Sequence, residues 1–176
     1  MRRVRARQGS SQRDQVMTGI ESILERLPYG LFTVVSREGD TPAAMVATWI
    51  MQVSFTPPLL AVAVERDSRM RRCIEASGTF SVNLMPEDGI DLAREVIRST
   101  NRGPDNAGKL FRTPASGGLY LRGALASIAC RLVTQVETGD HILFVGEVTE
   151  GEEQKGGSPL LLHDTGWRYR RPKGEH

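Results

Sequence analysis

Apolar residues recur along this chain at two spacings, and the change from one to the other divides it into elements. Val16, Ile20, Ile23, Leu24 and Leu27 fall at helical intervals and predict an amphipathic helix that Pro28 and Gly30 close. From Leu31 onward strand signals dominate. Leu31–Ser36 and Ala43–Trp49 read as strands around Arg37-Glu38-Gly39-Asp40, where Gly39 suits the left-handed position of a hairpin turn. Leu59–Val64 is apolar without alternation, as in a central strand covered on both faces. A second helix is expected to start at Asp67 or Ser68, to carry Met70, Cys73, Ile74 and Ser77 on one face and to stop at Gly78. Thr79–Leu84 is a strand, and Pro86-Glu87-Asp88 opens a short third helix with Ile90, Ala93 and Ile97 inward. Asn101–Gly118 reads as a long loop anchored by Leu110 and Phe111. Two long strands, Ala124–Glu137 and His141–Thr149, meet at Thr138-Gly139-Asp140. Leu160–Leu162 and Trp167–Arg170 complete the domain.

Many strands, three modest helices and no regular alternation of strand and helix predict a mainly β fold, an antiparallel barrel that is closed or half-closed. The length of 176 residues suits one core. Residues 1–11 read as a flexible basic arm, 12–170 as a single domain and 171–176 as a tail.

Charge adds little. The formal net charge is +2, and the basic excess sits at the ends, in Arg2, Arg3, Arg5, Arg7 and Arg13 and again in Arg168, Arg170, Arg171 and Lys173. Such runs read as solvated tails, and no nucleic-acid partner is expected. The longest apolar run is far short of the ~20 residues of a membrane span, and no apolar stretch follows the Arg-rich start as in a secretory signal. Two distant cysteines, Cys73 and Cys130, suggest neither a disulfide framework nor a zinc site, which fits the cytoplasm.

Conventional catalytic patterns are missing. The chain has no G-x-G-x-x-G, no G-x-x-x-x-G-K-[ST] and no G-x-S-x-G, and His141, His163 and His176 lack metal-ligand spacing. If the chain is an enzyme, a cofactor carries its reactivity. The stretch Ala44–Pro58 gathers hydroxyl, amide and indole groups where a plain core strand would carry Val or Ile. Thr48 can donate a hydroxyl, Gln52 an amide, Trp49 an aromatic wall, and Ala47, Val53 and Ser54 main-chain groups. The helix beginning near Ser68 brings free N–H groups, with Arg66, Arg69, Arg71 and Arg72 beside it. A flat ring at one end and a phosphate at the other describe a flavin nucleotide. The same residues also read as an edge strand with a buried Trp next to a solvated cationic helix.

At these residues the chain resembles the flavin reductase-like family. The resemblance spans about Leu27 to Tyr169. It rests on Pro28-Tyr29-Gly30-Leu31-Phe32-Thr33-Val34-Val35, Met45–Ser54 with Pro57-Pro58, and Ala61–Ser68. It continues through Ile74-x-x-Ser77-Gly78-x-Phe80-x-Val82-Asn83, Gly123-Ala124-Leu125-Ala126 and Gly139-Asp140-His141-x-Leu143-Phe144-Val145-Gly146-Glu147-Val148. It implies an FMN-binding split β-barrel, antiparallel and Greek-key-like, that forms a homodimer with flavin near the interface. It also implies hydride transfer from NADH or NADPH to FMN, or to FAD, with a monooxygenase as a partner for reduced flavin. An electron-transfer protein of the flavoredoxin type, without turnover of its own, is the alternative. The resemblance puts Thr48, Trp49 and Gln52 along the ring, Ser68 and Arg71 toward the phosphate, and His141 near the face where nicotinamide would come. The cofactor-binding set expected here is Ala47, Thr48, Trp49, Gln52, Val53, Ser54, Glu65, Ser68, Arg71 and Arg72, with His141 as the catalytic candidate. Departures from the commonest pattern are Trp49 and Gln52 in place of small hydroxyl residues, Glu65 in place of Asn, and Met70-Arg71 in place of Thr-His.

Overall fold

The computed structural model describes residues 19–101, 107–114 and 117–168. The expected arm, the tail, Val16 and residues 169–170 lie outside them. Strands β1 (Phe32–Glu38), β2 (Thr41–Ala47), β3 (Ile50–Phe55), β4 (Pro58–Glu65), β5 (Thr79–Leu84), β8 (Ala126–Glu137) and β9 (His141–Glu153) form one sheet, ordered β2-β1-β5-β8-β9-β4-β3. Every pairing in it is antiparallel. Two short strands, β6 (Phe111–Arg112) and β7 (Tyr120–Leu121), pair apart from it. The fold is mainly β, as the sequence predicts.

No ladder joins β2 to β3 among the described residues, so the sheet is open in its hydrogen bonding. Yet these two edge strands are separated in the chain only by Thr48 and Trp49. A link that short reaches about 10 Å, at ~3.3–3.6 Å per residue, so the sheet curls until its edges approach. The packing agrees. Val34, Ala47, Val62, Val82, Cys130 and Phe144, from six different strands, meet in one buried cluster. Gly146 keeps that interior full: a Cβ there would come within 2.6 Å of the Phe80 ring and 2.8 Å of Cys130 Cβ.

Helix α1 covers residues 19–24, and its predicted stripe faces outward, with Ile23 67% exposed. Helix α2 (Arg69–Ser77) begins where Ser68 Oγ accepts the Arg71 N–H at 3.2 Å. It ends at Gly78, whose φ of 66° lets its N–H reach Ile74 O. Met70, Cys73 and Ile74 are buried against β1, β2, β4 and β5. Helix α3 (Ile90–Asn101) packs on β2 through Ala93 and Val96, while Ile97, expected inward, is 42% exposed. Successive helical side chains point about 100° apart, so burying Val96 turns Ile97 out.

The expected loop at Asn101–Gly118 contains helix α4 (Ala107–Leu110) and β6. The expected strand at Leu160–Leu162 is an isolated bridge of Leu161 to Gly30 followed by a 3-10 turn, Leu162–Thr165. Trp167 and Arg168 lie in no strand. No helix of the described residues is long and apolar enough to cross a membrane.

Candidate functional site

The break between β2 and β3 generates the site. Thr48 O accepts the Ile50 N–H at 3.1 Å, and Trp49 O accepts the Ala63 N–H of β4 at 3.1 Å, which clamps the turn to the neighbouring strand. The result is an inner chamber of about 210 Å³ bounded by Ala47, Thr48, Trp49, Glu65, Ser68 and His141. All six belong to the residues expected from sequence. Glu65 and His141 come together because β4 pairs with β9 in that register.

His141 is held from two sides. Its Nδ1 lies 2.8 Å from Asp140 Oδ1, and its ring centroid is 4.8 Å from that of Trp49, with the planes 50° apart. The hairpin beneath it is tied to the start of α2. Asp140 O accepts the Arg66 N–H at 3.0 Å, and the Arg66 guanidinium is 2.9 Å from Glu137.

An outer chamber of about 560 Å³ adjoins the first and shares Met45, Val46, Thr48, Glu65 and Ser68 with it. Arg69, Ile97, Trp167 and Arg168 bound its far side. A volume of this size falls within the ~300–1,000 Å³ of small-molecule sites. On the wall common to both chambers stands Thr48, only 6% exposed, whose Oγ1 is buried and has no hydrogen-bond partner among the described residues. Buried hydroxyls are almost always bonded, so this one is set to receive a bond from a group that enters the cleft.

Next to it, the N-terminus of α2 has no acidic residue in its first turn, so its N–H groups keep their partial positive charge. Arg69 adds a full charge. Its guanidinium donates to Pro42 O at 3.4 Å and meets no carboxylate among the described residues. Four residues further along the helix, burial pushes the Cys73 thiol up, with Arg69 working against that rise, so the thiol stays protonated.

Several expected residues fall outside the cleft. Arg71 donates through Nε to Glu75 Oε1 at 3.0 Å and through Nη1 to Arg66 O at 3.2 Å, and Arg72 reaches back to Ser68 O at 3.4 Å. Neither bounds either chamber, whereas Arg69 bounds the outer one. The signal was legible: with Ser68 as the cap, Arg69 is the first helical residue and flanks the buried Met70–Cys73 face. Gln52 turns along its own strand, with Nε2 on Ser54 O at 3.1 Å, and Val53 sits in a bulge of β3. These three lie on the exposed edge strand and bound neither chamber. Met45, Val46 and Ala63, which do, carry no polar side-chain signal.

A further cavity of about 640 Å³ lies at the C-terminal end of α2, around Ser36, Ser77, Thr79 and Ser81. Its hydroxyls are already engaged: Ser36 and Ser77 bond each other at 3.1 Å, Ser36 donates to Thr79 O and Ser81 to Leu119 O. It holds no expected site residue, and the helix end beside it carries partial negative charge. Among the described residues no cluster of three His, Cys, Asp or Glu side chains is placed to hold a metal ion.

An antiparallel barrel split at one edge, with a two-chambered cleft at the split and a helix N-terminus beside it, defines a nucleotide-binding scaffold of the flavin type. Residues 24–170 match the flavin reductase like domain, and the chain belongs to the flavin reductase-like family. It is 32% identical over 145 residues to the reductase component of 4-hydroxyphenylacetate 3-monooxygenase from Thermus thermophilus, covering 82% of this chain and 91% of that one. It is 28% identical over 146 residues to diflavin flavoprotein A 1 of Synechocystis, covering 82% of this chain but 26% of that protein. The chain thus spans about a quarter of the length of the diflavin flavoproteins it matches. Among solved structures, BorF, the flavin reductase component of a bacterial two-component tryptophan halogenase, superposes with a TM-score of 0.73 at 28% identity, over 85% of this chain and 94% of that one.

Proposed function

We propose that this chain is an NAD(P)H-dependent flavin reductase that binds the FMN portion of a flavin and hands the reduced flavin to a separate monooxygenase. The observation that carries the reading is the Thr48 hydroxyl, buried without a partner among the described residues, in the wall of a cleft beside a helix N-terminus with no acidic residue in its first turn. A flavin fits the residues present. Thr48 and the main chain around Trp49 would bond the ring edge, Glu65 would accept from hydroxyls of the ribityl chain, and Ser68, Arg69 and the α2 N-terminus would hold the phosphate. When bound, the flavin supplies the redox chemistry, taking up two electrons with a hydride and releasing them later. The protein's part is to position and to exclude water. Trp49 and His141 form one wall of the inner chamber, and Asp140 fixes the imidazole where a nicotinamide ring would lie against the flavin. Similarity to two reductase components of two-component systems supports the transfer of reduced flavin to an oxygenase.

A second copy of the chain completes the proposal. His141, Leu143 and Val145 alternate along β9 on the face away from the core, opposite Val136 of β8 and Ala63 and Ala61 of β4. Met51 continues that face on β3 and is 59% exposed, and Val136 is 50% exposed. Ala63 and His141 of this face also line the inner chamber, so a partner copy that buried the face would cover the chamber.

The similarity to a module of the diflavin flavoproteins favours a second reading, an electron carrier without turnover. Oxidation of NADH or NADPH followed at 340 nm in the presence of free FMN separates the two. Sustained turnover supports the reductase, whereas flavin binding with no nucleotide oxidation leaves the carrier.

A further inference from the structure

We infer that Glu65 makes this cleft hold reduced flavin more loosely than oxidised flavin, so that the flavin leaves as a product and does not stay as a resident group. The inference rests on the flavin reading above and extends it to the difference between the two redox forms.

Glu65 bounds both chambers. It is the last residue of β4 and lies directly across from His141, so the two side chains share one face of the β4–β9 ladder. Its main-chain oxygen is engaged, accepting from Ser68 Oγ at 2.7 Å and from the Ser68 N–H at 3.2 Å. Its carboxylate is exposed and enters no salt bridge among the described residues. The cations nearby are held elsewhere. Arg69 bounds the outer chamber and donates to Pro42 O, and Arg66 is 2.9 Å from Glu137. Neither arginine nor lysine is among the described residues that bound the inner chamber. A second carboxylate, Asp140, stands behind His141, 2.8 Å from its Nδ1. The ring end of the cleft therefore carries negative charge, and the phosphate end positive charge.

That polarity acts differently on the two forms of a flavin. The oxidised ring is neutral. A hydride brings it two electrons and one proton, and at neutral pH the product keeps one negative charge, beside the point where the ribityl chain joins the ring. The side chain that accepts from the ribityl hydroxyls is thus the one next to which this charge appears, and charge at that edge is a lever by which a protein tunes a flavin. A like charge close by disfavours the charged form by about tenfold or more. The N-terminus of α2 does not cancel the effect, because its partial charge of about +0.5 faces the phosphate, whose own negative charge is larger.

The test compares affinities for oxidised and reduced FMN in the wild-type protein, Glu65→Gln and Glu65→Lys. Oxidised FMN is titrated by quenching of its own fluorescence. FMN reduced with dithionite is titrated anaerobically by quenching of protein fluorescence, and the potential of bound FMN is read against a reference dye. Glu65 is exposed at a strand end, so neither substitution repacks the core. The wild type is expected to bind oxidised FMN at least about tenfold more tightly than reduced FMN. Glu65→Gln should narrow that ratio about tenfold, a rise of about 30 mV in the two-electron potential, while its amide oxygen keeps affinity for oxidised FMN within a few-fold. Glu65→Lys should carry the ratio further in the same direction. A purely structural role for Glu65 would weaken both forms alike and leave the potential unmoved, and that result overturns the inference. So does a wild-type protein that binds reduced FMN as tightly as oxidised FMN. Failure to bind either form removes the proposed function itself, whereas binding of oxidised FMN with an unchanged ratio in both variants removes only the role of Glu65.

Discussion

Replacing Thr48 with Val should make the ligand-free protein more stable and the flavin complex weaker. The two side chains have nearly the same shape, so the substitution deletes the hydroxyl and little else. In the free protein that oxygen is buried without a partner among the described residues. An unsatisfied buried hydroxyl costs about 1–3 kcal/mol, and the low end applies here because the cleft beside it opens to water. About 1 kcal/mol raises Tm by roughly 2–4 °C in a chain of this size. With flavin bound the sign reverses. The hydroxyl then makes its bond, worth about 0.5–1.5 kcal/mol net, and Thr48→Val should weaken FMN roughly 2- to 13-fold. Differential scanning fluorimetry of protein stripped of flavin reads the first effect, and fluorescence titration with FMN the second. A lower Tm for Thr48→Val in the stripped protein would show that Thr48 is bonded within the fold, and would refute the argument that the cleft's buried hydroxyl waits for a ligand.

Arg69→Ala should weaken FMN about 10- to 150-fold more than riboflavin, the span of one charge-assisted bond to phosphate, whereas Arg71→Ala, which loses contacts to Glu75 and Arg66 O instead, should affect the two ligands alike. A selective loss of FMN in Arg71→Ala would return the phosphate to the position first expected from the sequence. His141→Ala should slow reduction of bound FMN by NAD(P)H in stopped flow while FMN affinity stays within a few-fold, and an unchanged rate would confine His141 to the β8–β9 turn. Met51→Glu should convert a dimer into a monomer of 19.4 kDa in sedimentation and weaken FMN at the same time. A dimer that survives this charge buries some other face.

Where a single residue type dictates local geometry, the sequence is easy to read. Gly39, at φ 58°, makes the β1–β2 turn, and Ser68 and Gly78 bound α2 within a residue of where the pattern places them. The inner chamber was legible for the same reason: polar side chains stand where a core strand would carry aliphatic ones, and Thr48, Trp49, Glu65, Ser68 and His141 converge there beside Ala47. What escaped notice depends on direction and not on residue type. Arg66, Arg69, Arg71 and Arg72 are alike in sequence, and only the buried Met70–Cys73 face decides that Arg69 looks into the cleft while Arg71 turns to Glu75. Gln52 belongs to the right motif, yet a bulge between it and Ser54 changes the alternation of β3 and leaves its amide on its own strand. The outer chamber is bounded by α3 and by Trp167, distant in the chain from the motif, and no local pattern announces it.

The pairing of Glu65 with His141 also bears on how the molecule is made. A hairpin such as β1–β2 closes between near neighbours, whereas the β4–β9 ladder must bring together segments separated by almost half the chain, and loop closure of that kind is slow. Until it forms, Trp49 has no His141 beside it and the cleft has no second wall. The site is therefore expected to form late in folding, so that a flavin present during refolding should find little to bind until the ladder closes. Added flavin should slow unfolding and leave the refolding rate unchanged, so that the ligand acts on the lifetime of the native protein and not on its assembly.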